Sequence, residues 1–290
     1  MNGFLNIDKP AGMTSHDVVA RVRRLAARGV KVGHAGTLDP AATGVLPLAL
    51  GSATRLIEFL ADARKGYRAV VALGSTTTTD DAEGELVAQR DVPPFSREEL
   101  EAALLPFRGA IMQVPPMFSA LHHEGKRLYE LAREGKTVEL APRPLTIYRL
   151  ELLDYSAQRA ELLLDIDCSK GTYIRSLARD IGAALGCGAH LAALRRTFVG
   201  VFGAEQSTPL ADLLAAPERL PSLLLLPELA VADWPLITLD ADGLLRVRRG
   251  QPLPLPALGG PQARAHDASG ALVALLRWED GVWKPDKVFL

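Results

Sequence analysis

The chain has 290 residues, 48% hydrophobic and 23% charged, with a net charge of -1, which is ample for one large domain or a large domain with a small companion. It contains no run of about 18 apolar residues that could span a bilayer, and its start, MNGFLNIDKPAGMTS, lacks a basic segment followed by an apolar one, so a soluble cytoplasmic protein is expected. The two cysteines, Cys168 and Cys187, lie too far apart for CxxC chemistry and read as small buried hydrophobes.

In chain order, helical patterns fall at 15–27, at 97–105 behind a Ser96/Glu99 capping box, at 127–134 and at 172–185. Strand patterns fall at 67–73, 146–153 and 160–168, the last two close enough to form a hairpin. Strands and helices do not alternate strictly, which predicts an α+β fold with a largely antiparallel mixed sheet and flanking helices. Residues 109–145 combine Val114-Pro115-Pro116, a charged stretch, Pro142 and Pro144, and are expected to leave the body of the domain as a long excursion. Beyond Ala216 the chain becomes Pro-rich and then breaks into short strand-like pieces, which predicts a boundary near 232 and a small β-rich unit over 233–290.

Charge is segregated along this order. Lys and Arg outnumber acids seven to four in each of 1–60, 108–150 and 246–290, whereas 78–101 hold eight acids against two bases. The near-neutral total thus conceals three mildly basic regions, which suit either a solvated surface or contact with nucleic acid.

Several familiar sites are absent from the sequence: GxxxxGK[ST], GxGxxG after a strand, HExxH, and HxE with PCxxC. Chemistry without a cofactor is therefore expected. The six histidines, at 16, 34, 122, 123, 190 and 266, lack ligand spacing, and no metal site is expected. The densest segment is GHAGTLDPAATGVLPL, residues 33–48, whose loop-forming glycines surround a single acid, Asp39. Pro40 restricts Asp39 to extended or turn backbone. From spacing alone Asp39 is either a turn residue accepting from nearby backbone N–H groups or a reactive carboxylate presented by a shaped loop, and spacing favours the turn.

This stretch resembles the motif around the catalytic Asp of the TruB pseudouridine synthases almost letter for letter. The likeness extends through KPAGMTS at 9–15, GSATR at 51–55, KGYR at 65–68, DDAEG at 80–84, VPPMFSAL at 114–121, GKRLY at 125–129, CSKGTYIRSL at 168–177 and LRR at 194–196. The resemblance covers residues 3–200 and implies isomerisation of uridine 55 in the tRNA T loop to pseudouridine, with no cofactor and no guide RNA. It makes Asp39 the essential carboxylate, either adding to the nucleotide or removing a ribose proton. Burial disfavours a charged carboxylate and a neighbouring cation favours it. The resemblance supplies Arg175 as that cation, with a fork that suits a carboxylate.

By the same resemblance Tyr67 stacks on the flipped base, Tyr173 and Leu194 line the nucleotide pocket, and His34 fills the space that the base vacates. Arg55, Arg195 and Arg196 are expected at RNA phosphates. Residues 109–145 would grip the T arm, the last segment would be a small PUA-like β-barrel that binds RNA, and the protein would act as a monomer. Two other readings remain open at this point: a tRNA-folding chaperone for which binding matters more than catalysis, and a glycoside hydrolase, which normally needs a second acid that the Asp39 motif lacks.

Overall fold

The computed structural model describes residues 1–119, 122–123, 126–128, 138 and 140–290. Along the first half run β1 (Gly3–Lys9), α1 (Ser15–Leu25), β2 (Val32–His34), β3 (Thr43–Leu50), α2 (Ile57–Ala61), β4 (Lys65–Leu73), β5 (Ser75–Thr77), β6 (Leu86–Gln89), α3 (Arg97–Leu104) and β7 (Gly109–Gln113). A short pair, β8 (His122–His123) and β9 (Lys126–Arg127), precedes β10 (Arg143–Ser156), β11 (Glu161–Cys168), α4 (Ile174–Ala184), β12 (Ala189–Val199), β13 (Phe202–Gly203), β14 (Thr208–Pro209) and α5 (Leu210–Ala215). The chain ends with β15 (Leu236–Thr238), α6 (Ala241–Arg248), β16 (Gln262–His266), β17 (Leu272–Glu279) and β18 (Val282–Val288).

A 10-stranded mixed sheet organises most of the chain, in the order β14-β1-β3-β12-β4-β11-β10-β7, with β2 against β3 and β13 against β12. Its pairs are antiparallel except β1 with β14 and β3 with β12. The expected hairpin forms, as β10 pairs antiparallel with β11. Alternation explains the central strands: Tyr67, Ala69, Val71 and Leu73 of β4 and Leu162, Leu164 and Ile166 of β11 are buried on one side, beneath α3 and α4. A second cluster buries Val18, Val19 and Val22 of α1 with Leu5, Ile7, Leu46 and Leu48.

Helix α1 begins where its sequence dictates. Thr14 Oγ1 accepts from the Asp17 N–H at 3.1 Å, and Asp17 Oδ2 accepts from the Thr14 N–H at 2.9 Å, so two otherwise unpaired donors are satisfied reciprocally. Arg23 and Arg24 occupy the last turn, where the helix dipole favours cations. Ser96 and Glu99 make the expected box at the start of α3.

Three expectations need adjustment. Of the excursion expected at 109–145, both ends belong to the main sheet, since 109–113 and 143–147 pair as β7 and β10 at its edge, and part of the stretch between lies outside the described residues. Of the helix expected at 127–134, Arg127 is strand, Leu128 is helical and 129–134 lie outside the described residues. The C-terminal unit is a four-stranded sheet, β15-β16-β17-β18, with its own core around Trp283 and with Val247 of the unanticipated α6. Phe289 and Leu275 also join the cluster that holds Phe4 and Leu56, so the last strands pack on the large domain. Among the described residues no helix is long and apolar enough to cross a membrane.

Candidate active site

The loop between β2 and β3 carries Asp39 and is fixed from several sides. Ser15 Oγ donates to Leu38 O at 3.2 Å and accepts from the Leu38 N–H at 2.9 Å, tying the residue before Asp39 to the first turn of α1. Lys9, fully buried at the end of β1, donates Nζ to Pro10 O at 2.9 Å and to Pro40 O at 3.1 Å. Arg196, on β12 and only 1% exposed, donates Nε to Val45 O at 2.7 Å and its two terminal nitrogens to Thr37 O at 3.2 Å and Gly36 O at 3.1 Å. One guanidinium thus holds the loop on both sides of Asp39.

This overturns the expectation that Arg196 contacts RNA phosphate. A side chain sealed under the loop and committed to three carbonyls has no surface to offer a backbone, and its placement follows from the parallel pairing of Arg196 with Gly44. A Cβ on Gly44 would lie 2.2 Å from Arg196 O, and Gly44 has φ +101°, so only glycine permits that approach.

The Asp39 carboxylate itself is 44% exposed, and its Oδ2 lies 3.2 Å from Arg175 Nε. The expected pair therefore forms, but the acid faces solvent while the cation is buried. Arg175 also reaches Asp81 at 3.5 Å and donates to Thr79 O at 3.3 Å and Phe118 O at 2.9 Å. Beside it Arg179 bonds Asp80 at 3.0 Å; burial pushes the Asp80 carboxyl up while Arg179 opposes that shift.

The remaining expected residues divide into two groups. Tyr67, 8% exposed on β4, lies next to Arg196 and within the field of Asp39. Burial pushes its phenol up, and the guanidinium pulls it back. Tyr173 precedes α4, half-buried, with its phenol raised by burial, and Leu194 pairs with Ala69 on the neighbouring strand and packs against the same core as Tyr67. His34 ends β2 with a buried Nδ1 that has no hydrogen-bond partner among the described residues, and its ring meets His16 edge-on at 5.2 Å. Burial first, then the charges of His16 and Arg196, lower its basicity.

Arg55 stands apart from this group. It donates to Val288 O at 2.6 Å and lies 5.1 Å from the Phe289 ring centre, joining the large domain to the last strand. Arg195 forks onto Asp8 at 3.0 and 2.6 Å.

Sequence reasoning missed Asp81, the buried cations Lys9 and Lys65, and Gln113. Lys65 Nζ donates to Ala61 O and Ala63 O, each at 2.9 Å, and burial pushes its ammonium down to about 8. Asp81, Lys9 and Lys65 all sit inside recognisable motifs, but nothing in a one-dimensional pattern marks a lysine as buried, since lysine is almost always exposed. Among the described residues there is no cluster of three His, Cys, Asp or Glu side chains able to hold a metal. Both cysteines are free and buried.

Comparison with known proteins identifies the family. Residues 23–174 match the N-terminal domain of the TruB family of pseudouridylate synthases, and residues 175–227 match the C-terminal domain of tRNA pseudouridylate synthase B. The chain is 47% identical over 294 residues to tRNA pseudouridine synthase B of Dehalococcoides mccartyi, covering all of this chain and 97% of the relative. It is 48% identical to the protein of the same name from Parasynechococcus marenigrum, over 99% of this chain and 97% of that one. A Cbf5 complex with Nop10 and Gar1 superposes with a TM-score of 0.76 at 28% identity, covering 99% of this chain and 85% of the matched one. The chain belongs to the TruB family of pseudouridylate synthases.

Proposed function

We propose that this protein converts uridine 55 in the T loop of tRNA into pseudouridine, with Asp39 as the reacting carboxylate. Isomerisation of a tRNA uridine follows from the family and from the names of relatives that match over full length; the position modified and the residue roles are the proposal. One observation carries it: a half-exposed carboxylate, Asp39, held at 3.2 Å by an arginine that is 10% exposed, on a loop whose backbone is bonded by Lys9 and Arg196. Such a carboxylate is oriented and open to a substrate on one side. The glycosidic N1–C1′ bond breaks, uracil turns, and a C5–C1′ bond forms as C5 gives up its proton and N1 takes one up. Asp39 serves this either by adding to the nucleotide or by taking a ribose proton, and both routes need the acid ionised and reachable.

The target base must leave its stack, at a cost of a few kcal/mol, and stacking on an aromatic ring returns about 1–3 kcal/mol. In this reading Tyr67 takes that role, Tyr173 and Leu194 line the pocket, and His34 enters the space left in the RNA. With Arg196 committed to the loop, Arg55 and Arg195 remain as phosphate contacts. Residues 114–142 grip the T arm, and 233–290 act as a PUA-like RNA-binding unit. The protein works as a monomer on tRNA directly, without guide RNA, metal or cofactor. The test is pseudouridine mapping in a T-arm transcript. Wild type should modify uridine 55 alone, and Asp39→Asn should form no product while binding the transcript as tightly; turnover by that variant would sink the assignment.

A further inference from the structure

Helix α4 starts without a side-chain cap of its own at Tyr173. The main chain of Tyr173 is held instead by a side chain from a strand. Gln113, the last residue of β7 and only 2% exposed, accepts from the Tyr173 N–H at 2.9 Å and donates Nε2 to Tyr173 O at 3.1 Å. A side-chain amide carries one acceptor and a pair of donors, so Gln113 pairs with the main chain of Tyr173 as a neighbouring strand would. Its own main chain is in register with Arg143 of β10, at the end of β7 where the chain passes to Val114.

The first turns of α4 hold that departing segment in return. Arg175 donates to Phe118 O at 2.9 Å, and Arg179 donates to Val114 O at 3.1 Å. The guanidinium that holds Phe118 is the one that meets Asp39 at 3.2 Å. Its planar fork is stiff, so a displacement of Phe118 must either turn the fork away from the carboxylate or break a bond. A load on 114–142 is thus felt at the Asp39–Arg175 pair, unless something fixes the base of the segment to the start of the helix. Gln113 is the group in that position.

Resting on the readings of Asp39 as the reacting carboxylate and of 114–142 as the T-arm grip, we infer that Gln113 is a positioning residue: it locks the root of 114–142 to Tyr173, so that Arg175 keeps its setting against Asp39 when RNA loads that segment. Gln113 touches no reacting atom in this scheme. Its removal should slow the chemical step and leave RNA affinity alone, because a buried Gln113 offers RNA no surface.

The experiment uses the full chain and a T-arm transcript. Single-turnover rates at saturating RNA are measured for wild type, Gln113→Met, Arg175→Lys and the double variant, with RNA affinity read separately in an Asp39→Asn background. Gln113→Met keeps the side chain's bulk and loses both hydrogen bonds. It should lower the single-turnover rate about tenfold, leave affinity within about twofold, and add little to the loss already caused by Arg175→Lys, as expected for groups acting through one contact. A purely structural glutamine would lower the melting temperature, leave the rate of folded enzyme unchanged, and combine additively with Arg175→Lys; either of the last two results overturns the proposal, as does a loss confined to affinity. Should Gln113→Met fail to fold, Gln113→Asn, whose amide is a methylene too short to reach both groups, decides by the same rates. Failure of wild type to make pseudouridine would instead overturn the reading of Asp39.

Discussion

The cations around the Asp39 loop and those of the C-terminal sheet are used in opposite ways. Under the loop, Lys9, Lys65 and Arg196 are buried and bond main-chain carbonyls. In the C-terminal unit, Arg246, Arg277 and Lys284 lie at the surface and pair with Asp242, Glu279, Asp280 and Asp286. Carbonyl dipoles orient a cation without neutralising it, so the first arrangement keeps net positive charge below the one exposed carboxylate of the loop; burial lowers the Lys9 ammonium and the charge of Asp39 opposes that shift. The second arrangement cancels charge in high dielectric, where a pair contributes little. Desolvation makes the first arrangement costly, and such a cost is tolerated where it shapes a reactive loop.

That contrast is broken most forcefully at Gly44. Its φ of +101° and the 2.2 Å between a built Cβ and Arg196 O mean that Gly44→Ala must push β12 from β3 and take Arg196 off Val45. Strain and overpacking together should cost roughly 2–5 kcal/mol, seen as a fall of several degrees in melting temperature, with slower isomerisation by the folded fraction. A variant that melted and turned over like wild type would show that the loop does not depend on this close approach.

How much of this could be read from the sequence follows the same division. Local chemistry was legible: the Ser96/Glu99 box, the alternating Leu162, Leu164 and Ile166, and the β10–β11 hairpin all depend on neighbours a few residues away. The Asp39–Arg175 pair joins residues far apart in sequence and was reached only through family resemblance. Arg196 went wrong because an arginine beside Arg195 in a strand looks like one of two surface cations; alternation sends Arg195 outward to Asp8 and Arg196 under the loop. Helix α6 was hidden because Gly243 and the flanking prolines read as loop, although Asp240 caps it by accepting from the Gly243 N–H at 2.8 Å. Gln113 had no local signal at all, since its partner lies 60 residues away.

A milder test bears on the buried cations. Burial lowers the Lys65 ammonium to about 8, below its ordinary value near 10.5. Between those two values the unfolded chain binds the proton more tightly than the folded one, so stability rises as pH climbs from about 8 to 10.5. Lys65→Met cannot show that rise. The melting temperature of wild type relative to Lys65→Met should therefore increase across this window and stay level below pH 7. A difference that is flat from pH 7 to 10.5 would mean that Lys65 is not desolvated in the folded protein.

The smallest effect is expected at the other pole of the comparison. Arg277 spans Glu279 at 3.5 Å and Asp286 at 3.1 Å with half its side chain exposed. Holding a long side chain between two solvated acids costs rotamer freedom that nearly offsets the attraction, and salt screens what remains. Arg277→Ala should accordingly shift the melting temperature by no more than about 1 °C at physiological ionic strength. If it instead destabilised the protein as much as Gly44→Ala, the surface pairs of the last two strands would be structural members comparable to the cations beneath Asp39. The distinction between charge that shapes a site and charge that merely coats a surface would then fail for this fold.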